Sequence, residues 1–249
     1  MKNLFVLFFA VVTLSSCNFY KPAMMNAPVL EEKGELNLGV SAGNGTDVTA
    51  SYAITDYLAV SSRFTSNLNL DFEVTFDSSQ SFTAKNHNYE VALGYFNANN
   101  ESYNLSLFAG YAMGKTGAIN NDFFVSSVSS DEFGIGADFT SFFIQGAAFA
   151  NIDEENHIGL VARVNALEYS NFRYSDIFTN NTQPIIFKDK TKTVGQVGIQ
   201  YNYKGQKFGV LGQVQYAFTD SNNDYFTVRS LGIHVGAYLR LNEIFKKVN

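Results

Sequence analysis

From residue 35 to residue 241 the chain alternates apolar side chains with small or polar ones at a period of two. In ELNLGVSAG, Leu36, Leu38, Val40 and Ala42 fall on one face, and Asn37, Gly39 and Ser41 on the other. NYEVALGY repeats the pattern with Tyr89, Val91, Leu93 and Tyr95, and IGLVARVNA with Ile158, Leu160, Ala162 and Val164. In all, ten segments follow the rule, the last being LGIHVGAYLRL. A strand turns successive side chains to opposite sides, so this pattern predicts strands with one apolar face. The opposite face carries Ser51, Arg63, Glu90, Ser106, Gly110, Gln145, Arg163, Asn165, Gln196, Gln200, Gln213, Gln215, His234 and Arg240. No charge falls on the apolar face. A Lys or Arg facing lipid at mid-depth would cost ~2–4 kcal/mol, so that absence is what a lipid-facing exterior requires.

The connections carry a second signal. Short links (TD, NANNE, DEEN, KGQ) alternate with longer ones at about 66–86, 114–133 and 172–190, and with TDSNND; GNGT is a short exception with an Asn-Gly hairpin signal. Short turns on one side and long loops on the other are the pattern of an outer-membrane barrel, with the short turns periplasmic. Both ends of the barrel segment then fall on the periplasmic side. The count becomes eight or twelve if DFEVTFD and DEFGIGADF are strands of their own.

Composition agrees. Charged residues make up 16% of the chain, below the ~25% of soluble domains, while Tyr and Phe number 14 and 24 and Trp is absent. A net charge of −6 argues against nucleic acid as a partner.

The N-terminus reads MKNLFVLFFAVVTLSSC. Lys2, an apolar run over 4–12 and the small Ser15 and Ser16 form an export leader, too short to span a bilayer as a helix. Leu-Ser-Ser-Cys resembles the bacterial lipobox, which implies a signal peptide over 1–16 and acylation of Cys17, the only cysteine. Residues 17–34 have two prolines and no period, and are expected to be a lipidated tether outside the folded body. The barrel covers 35–241, and 242–249 form a periplasmic tail.

HVGAYLRL resembles the signal that barrel-assembly machinery reads on a last strand, through His234, Gly236, Leu239 and Leu241; the chain departs from it by continuing through NEIFKKVN. Aromatic girdles are expected from Tyr95, Phe96, Tyr201, Tyr203 and Phe208 on the periplasmic side. Tyr169, Phe172, Tyr174, Tyr216 and Phe218 would form the outer one. The body thus resembles a small bacterial outer-membrane β-barrel, porin-like in architecture: all-β, antiparallel, up-and-down and transmembrane. The resemblance implies outer-membrane localisation, with an anchor in the periplasmic leaflet. It implies as partners the membrane lipids and the barrel-assembly and lipoprotein-export machineries.

Little in the sequence points to chemistry. His87, His157 and His234 fall far apart, so no metal site is expected, and no cofactor motif is present. His87 with Glu90 is the only candidate pair for a lipid-modifying enzyme at the outer rim. Arg63, Glu90, Arg163, Gln200 and Arg240 are expected to form a polar network that fills the lumen. FKDKTK, 187–192, is a basic patch at an outer loop. The expectation is a non-enzymatic barrel whose loops serve a structural or interaction role. The alternatives are a narrow channel for small solutes and a soluble lipocalin-like barrel, whose apolar face would point inward.

Overall fold

The computed structural model describes residues 22–43, 45–66, 82–97, 102–120, 134–176, 181–184, 191–219 and 229–245. They form β1 (Leu36–Ala42), β2 (Thr46–Ala53), β3 (Leu58–Ser66), β4 (Phe82–Asn97), β5 (Tyr103–Asn120), β6 (Gly134–Asn151), β7 (Asn156–Asp176), β8 (Asn181–Pro184), β9 (Thr191–Lys204), β10 (Phe208–Thr219), β11 (Arg229–Arg240) and a helical turn, α1 (Leu241–Phe245). Each strand pairs antiparallel with its sequence neighbour, except that β7 pairs with β9 and the four-residue β8 only extends the end of β7. The β6–β7 and β1–β11 pairings close the wall, so ten strands make the barrel. DEFGIGADF is no separate strand: from Gly134 it is the start of β6. DFEVTFD lies outside the described residues.

Alternation decides which side each residue takes. Leu160, Phe142, Val91 and Ile144 are 67%, 69%, 63% and 61% exposed, whereas Glu90, Arg163, Gln145 and Gln200 are buried inside. Burial of apolar groups drives folding in water, and here the burial is inverted. A soluble barrel of lipocalin type would show the opposite. The apolar belt ends at charge. On the loop side His87, Lys115 and Glu168 are exposed, with His87 paired to Lys115. Asp56, Glu154 and Lys207 are exposed at the turns of the opposite end. From Asn97 to His87 the wall of β4 climbs about 25 Å along the axis, taking ~3.3 Å per residue and ~40° of tilt, which matches the apolar band of membrane barrels. Leu160→Arg, near mid-depth, is therefore expected to destabilise the barrel in lipid vesicles by about 2–4 kcal/mol, read from urea unfolding in the bilayer.

The same alternation corrects the girdles. Tyr95, Tyr201, Phe208 and Phe218 face out, but Phe96, Tyr169 and Phe172 are buried at 2%, 2% and 8% exposure. Neighbours such as Tyr95 and Phe96 cannot share one side of a strand. Asn171 has a left-handed backbone (φ 50°), its amide donates to Asp138 Oδ2 at 2.7 Å, and β6 shifts register between Gly136 and Asp138. The wall bulges there.

Closure depends on a glycine. β11 meets β1 from Ala42–Val235 to Asn37–Arg240. A Cβ on Gly236 would lie 2.6 Å from Ser41 Cβ and 2.7 Å from Val40 O. Gly236→Val is expected to hold the seam apart, and the protein should lose the compact form that resists SDS until heated.

Candidate functional site

The lumen is occupied by the chain itself. Residues 22–30, expected as a tether outside the body, lie inside the barrel: Ala23, Met24, Met25, Ala27, Val29 and Leu30 are 0–5% exposed. The segment has no regular secondary structure, so its main-chain groups need partners from elsewhere. The wall supplies them. Met25 N–H donates to Gln213 Oε1 at 3.0 Å and Gln215 Oε1 at 3.3 Å, and Met25 C=O accepts from Gln213 Nε2 at 3.0 Å. Ala23 C=O accepts from Gln215 and Gln196, Asn26 C=O from Gln145 at 2.6 Å, Ala27 C=O from Gln200 at 3.0 Å, and Val29 C=O from Lys204 Nζ at 3.1 Å.

Glutamine suits this task because its amide both donates and accepts, and so serves N–H and C=O alike. The side chains project from β6, β9 and β10 and hold a main chain by groups that every residue shares. Pro22 and Pro28 lack an N–H, so the segment carries fewer donors to satisfy.

The segment's side chains alternate as in a strand. Met25, Ala27 and Val29 pack against Ala147, Phe149 and Val161. Asn26 points the other way and donates to Ser61 Oγ at 2.9 Å. Leu30 belongs to a buried cluster that runs from Ala53, Ala59 and Phe96 at the turn end up the wall to Ala92, Phe108, Ala112 and Phe143. The wall also makes room: a Cβ on Gly198 would lie 3.1 Å from Met25 Cε.

A charged cluster sits beside the segment. Glu90 bonds Arg63 on one side and receives Arg163 Nη1 at 3.1 Å on both oxygens. Arg163 also donates to Gln145 Oε1 at 2.9 and 2.6 Å, and stacks 4.1 Å from the Phe143 ring. The cavity left between this cluster and Asn26 is about 10 Å³, the space of about one water. At the turn end, Glu35 is fully buried and bridges Lys204 at 3.1 Å and Arg240 at 3.3 Å, where the segment turns into β1.

Of the residues singled out in the sequence, Arg63, Glu90 and Arg163 meet in one network. Gln200 lies in a separate row with Gln213 and Asn202 and holds the segment. Arg240 belongs to the turn-end cluster and also donates to Gly205 C=O. His234, Gly236 and Leu239 lie on β11, whereas Leu241 opens α1. His87 is exposed and touches Ser66 Oγ, while Glu90, an odd number of residues away, faces the lumen, so the two are not brought together. His157 is buried at the turn end against Asn151 at 2.8 Å, and His234 lines the lumen. Among the described residues no three metal-ligating side chains gather. Cys17, Tyr174's side chain and residues 187–190 of the basic patch lie outside the described residues; Thr191 and Lys192 open β9.

Sequence reasoning missed Gln145, Gln196, Gln213 and Gln215 as ligands of a peptide. It also missed Phe96, Phe108, Phe143 and Phe149 as inward packing for it. Those inward phenylalanines were the available signal, because a water-filled lumen gives them nothing to pack on.

No family model and no curated protein matches the chain. Among solved structures, the translocator domain of autotransporter NalP from Neisseria meningitidis is similar at 11% identity and a TM-score of 0.44, covering 83% of this chain and 85% of that one. KdgM porin is similar at 8% identity and a TM-score of 0.32, over 82% and 98%. The Ralstonia pickettii toluene transporter TbuX is similar at 8% identity and a TM-score of 0.33, over 85% and 90%. By its own apolar belt, polar inner wall and closed ring of strands, this chain is a membrane-spanning β-barrel of the outer-membrane type.

Proposed function

We propose that this chain is an outer-membrane lipoprotein, acylated at Cys17, whose barrel is kept closed by its own N-terminal segment and whose role is structural or interactive. The observation that supports this is the seating of residues 22–30. Side chains of the wall and its turn end hold the segment, and the gap beside it has room for about one water. Among the described residues, a lumen so filled leaves a solute no path beside the segment. The reading assigns no catalysis: Glu90, the acid beside the segment, is neutralised by two arginines, and the Ser61 hydroxyl near it is held by Asn26 and Ser51. No cofactor enters the proposal. Its partners are the membrane lipids, the barrel-assembly and lipoprotein-export machineries, and a surface partner engaged through the loops, not nucleic acid. The test is the full chain in a planar bilayer. A silent membrane fits the proposal; steady open-channel current would replace it with the narrow-channel reading.

A further inference from the structure

The seated segment has a direction. Val29 is held by Lys204, the last residue of β9 at the turn end, Ala27 by Gln200, and Ala23 by Gln196, farther toward the loops. Along β9 from Lys204 to Gln196 the wall climbs about 20 Å, at ~3.3 Å per residue and ~40° of tilt. The six steps from Val29 to Ala23 span about 20 Å when extended. The two lengths agree, so the segment runs nearly straight up the axis, away from the periplasmic turns. From Gln196 the loop end of β9 at Thr191 is only about 13 Å higher by the same measure.

Cys17 precedes Pro22 by five residues, a reach of about 17 Å. That reach clears the loop-end edge of the belt near Lys192. It does not return to the turn end, about 20 Å back along a lumen already filled by the segment's own later residues. The rim is also lowest on one side. β1 and β2 have 7 and 8 residues against 16 to 21 in β4 to β7. β11 pairs with β1 only from Val235 onward, so the low β1–β2 wall stands next to a taller β11.

We propose that the N-terminal segment threads the barrel from the turn end to the loop end, so that the acylated Cys17 anchors in the outer leaflet at the cell surface. The inference rests on the reading of Cys17 as lipidated, and it replaces the periplasmic leaflet expected from the sequence. It makes the barrel the conduit of its own N-terminus, fastened to the membrane from above as well as by its wall.

The test uses the full chain expressed in a Gram-negative host. Tyr20→Cys is labelled on intact cells with a membrane-impermeant maleimide. Lys115→Cys serves as the loop-end marker and Glu154→Cys as the turn-end marker. The proposal expects Tyr20→Cys to label on intact cells together with Lys115→Cys, and Glu154→Cys to label only after the outer membrane is opened. Tyr20→Cys labelling together with Glu154→Cys, or remaining protected throughout, would overturn it. If Tyr20→Cys lacks the heat-dependent gel shift of a folded barrel, Asn18→Cys takes its place. Mass spectrometry of the N-terminal peptide separates the two readings. An unmodified Cys17 with external labelling removes the lipid and leaves the exit standing.

Discussion

Removing residues 22–30 is expected to turn a barrel that passes no current into one that does. Ten strands ~4.8 Å apart and tilted ~40° enclose a backbone ring about 20 Å across. Side chains from opposite walls and one extended peptide, itself about 10 Å thick with its side chains, fill that width. Without the peptide, Gln145, Gln196, Gln200, Gln213 and Gln215 lose the main-chain partners they have now. Water must replace those partners, since buried amides left unpaired cost ~1–3 kcal/mol each. The lumen then becomes a wet, weakly polar tunnel. The measurement is single-channel recording of the deletion variant beside the full chain, both first shown to be folded by their gel shift on heating. A folded but silent deletion variant would mean that something other than this segment closes the pore. Gln213→Ala with Gln215→Ala should act in the same direction more weakly, giving brief openings, because Met25 loses both of its amide clamps.

The second large effect is expected at Glu90. Its carboxylate lies between Arg63 and Arg163, and all three side chains are at most 6% exposed. Glu90→Gln keeps the volume and deletes the negative charge that these two guanidinium groups share. Breaking a buried ion pair by removing one partner costs about 3–5 kcal/mol, because a charge stays buried without its counter-charge. The temperature at which the folded band disappears from SDS gels should drop sharply. Arg163→Met added to Glu90→Gln should recover part of the loss, since it removes one stranded cation, and the shortfall from additivity reports their coupling. The chain has no Trp, so Tyr201→Trp, on the outer surface, provides a clean optical probe for these unfolding curves. An unchanged transition in Glu90→Gln would show that water already screens the cluster and that the lumen is wet.

The barrel wall was legible because two-residue alternation is a local property. Each of Val91, Leu93 and Tyr95, or of Ile158 and Leu160, reports its side without reference to any other strand. Strand ends were less legible: β4, β5 and β7 run into stretches expected as loops, since nothing local stops a ladder once neighbours pair. Aromatic side chains misled where two adjoin, as at Tyr95 and Phe96, because both suit a strand and only pairing decides which faces in. The threaded segment was illegible for a different reason. Residues 22–30 have no period, and the side chains that bind their main chain lie 119 to 193 positions away, from Gln145 to Gln215. A Gln that binds a main chain looks, in sequence, like a Gln that merely fills a lumen. The inward Phe108, Phe143 and Phe149 were the trace of the missing occupant. The enzyme pair His87 and Glu90 fell to the same parity that built the wall.

The measurement that most directly tests the plugged barrel is methyl NMR on methionine-labelled protein in micelles. The chain has four methionines, and Met24 and Met25 lie in the lumen while Met113 faces the lipid side at 51% exposure. A seated segment predicts that the Met24 and Met25 methyls stay sharp against both a water-soluble and a micelle-soluble paramagnetic agent, with Met25 showing contacts to Gly198. Met113 should broaden with the micelle-soluble agent. Met24 and Met25 methyls that are mobile and quenched by the water-soluble agent would place the segment outside the barrel as a free tether, and would contradict the plug.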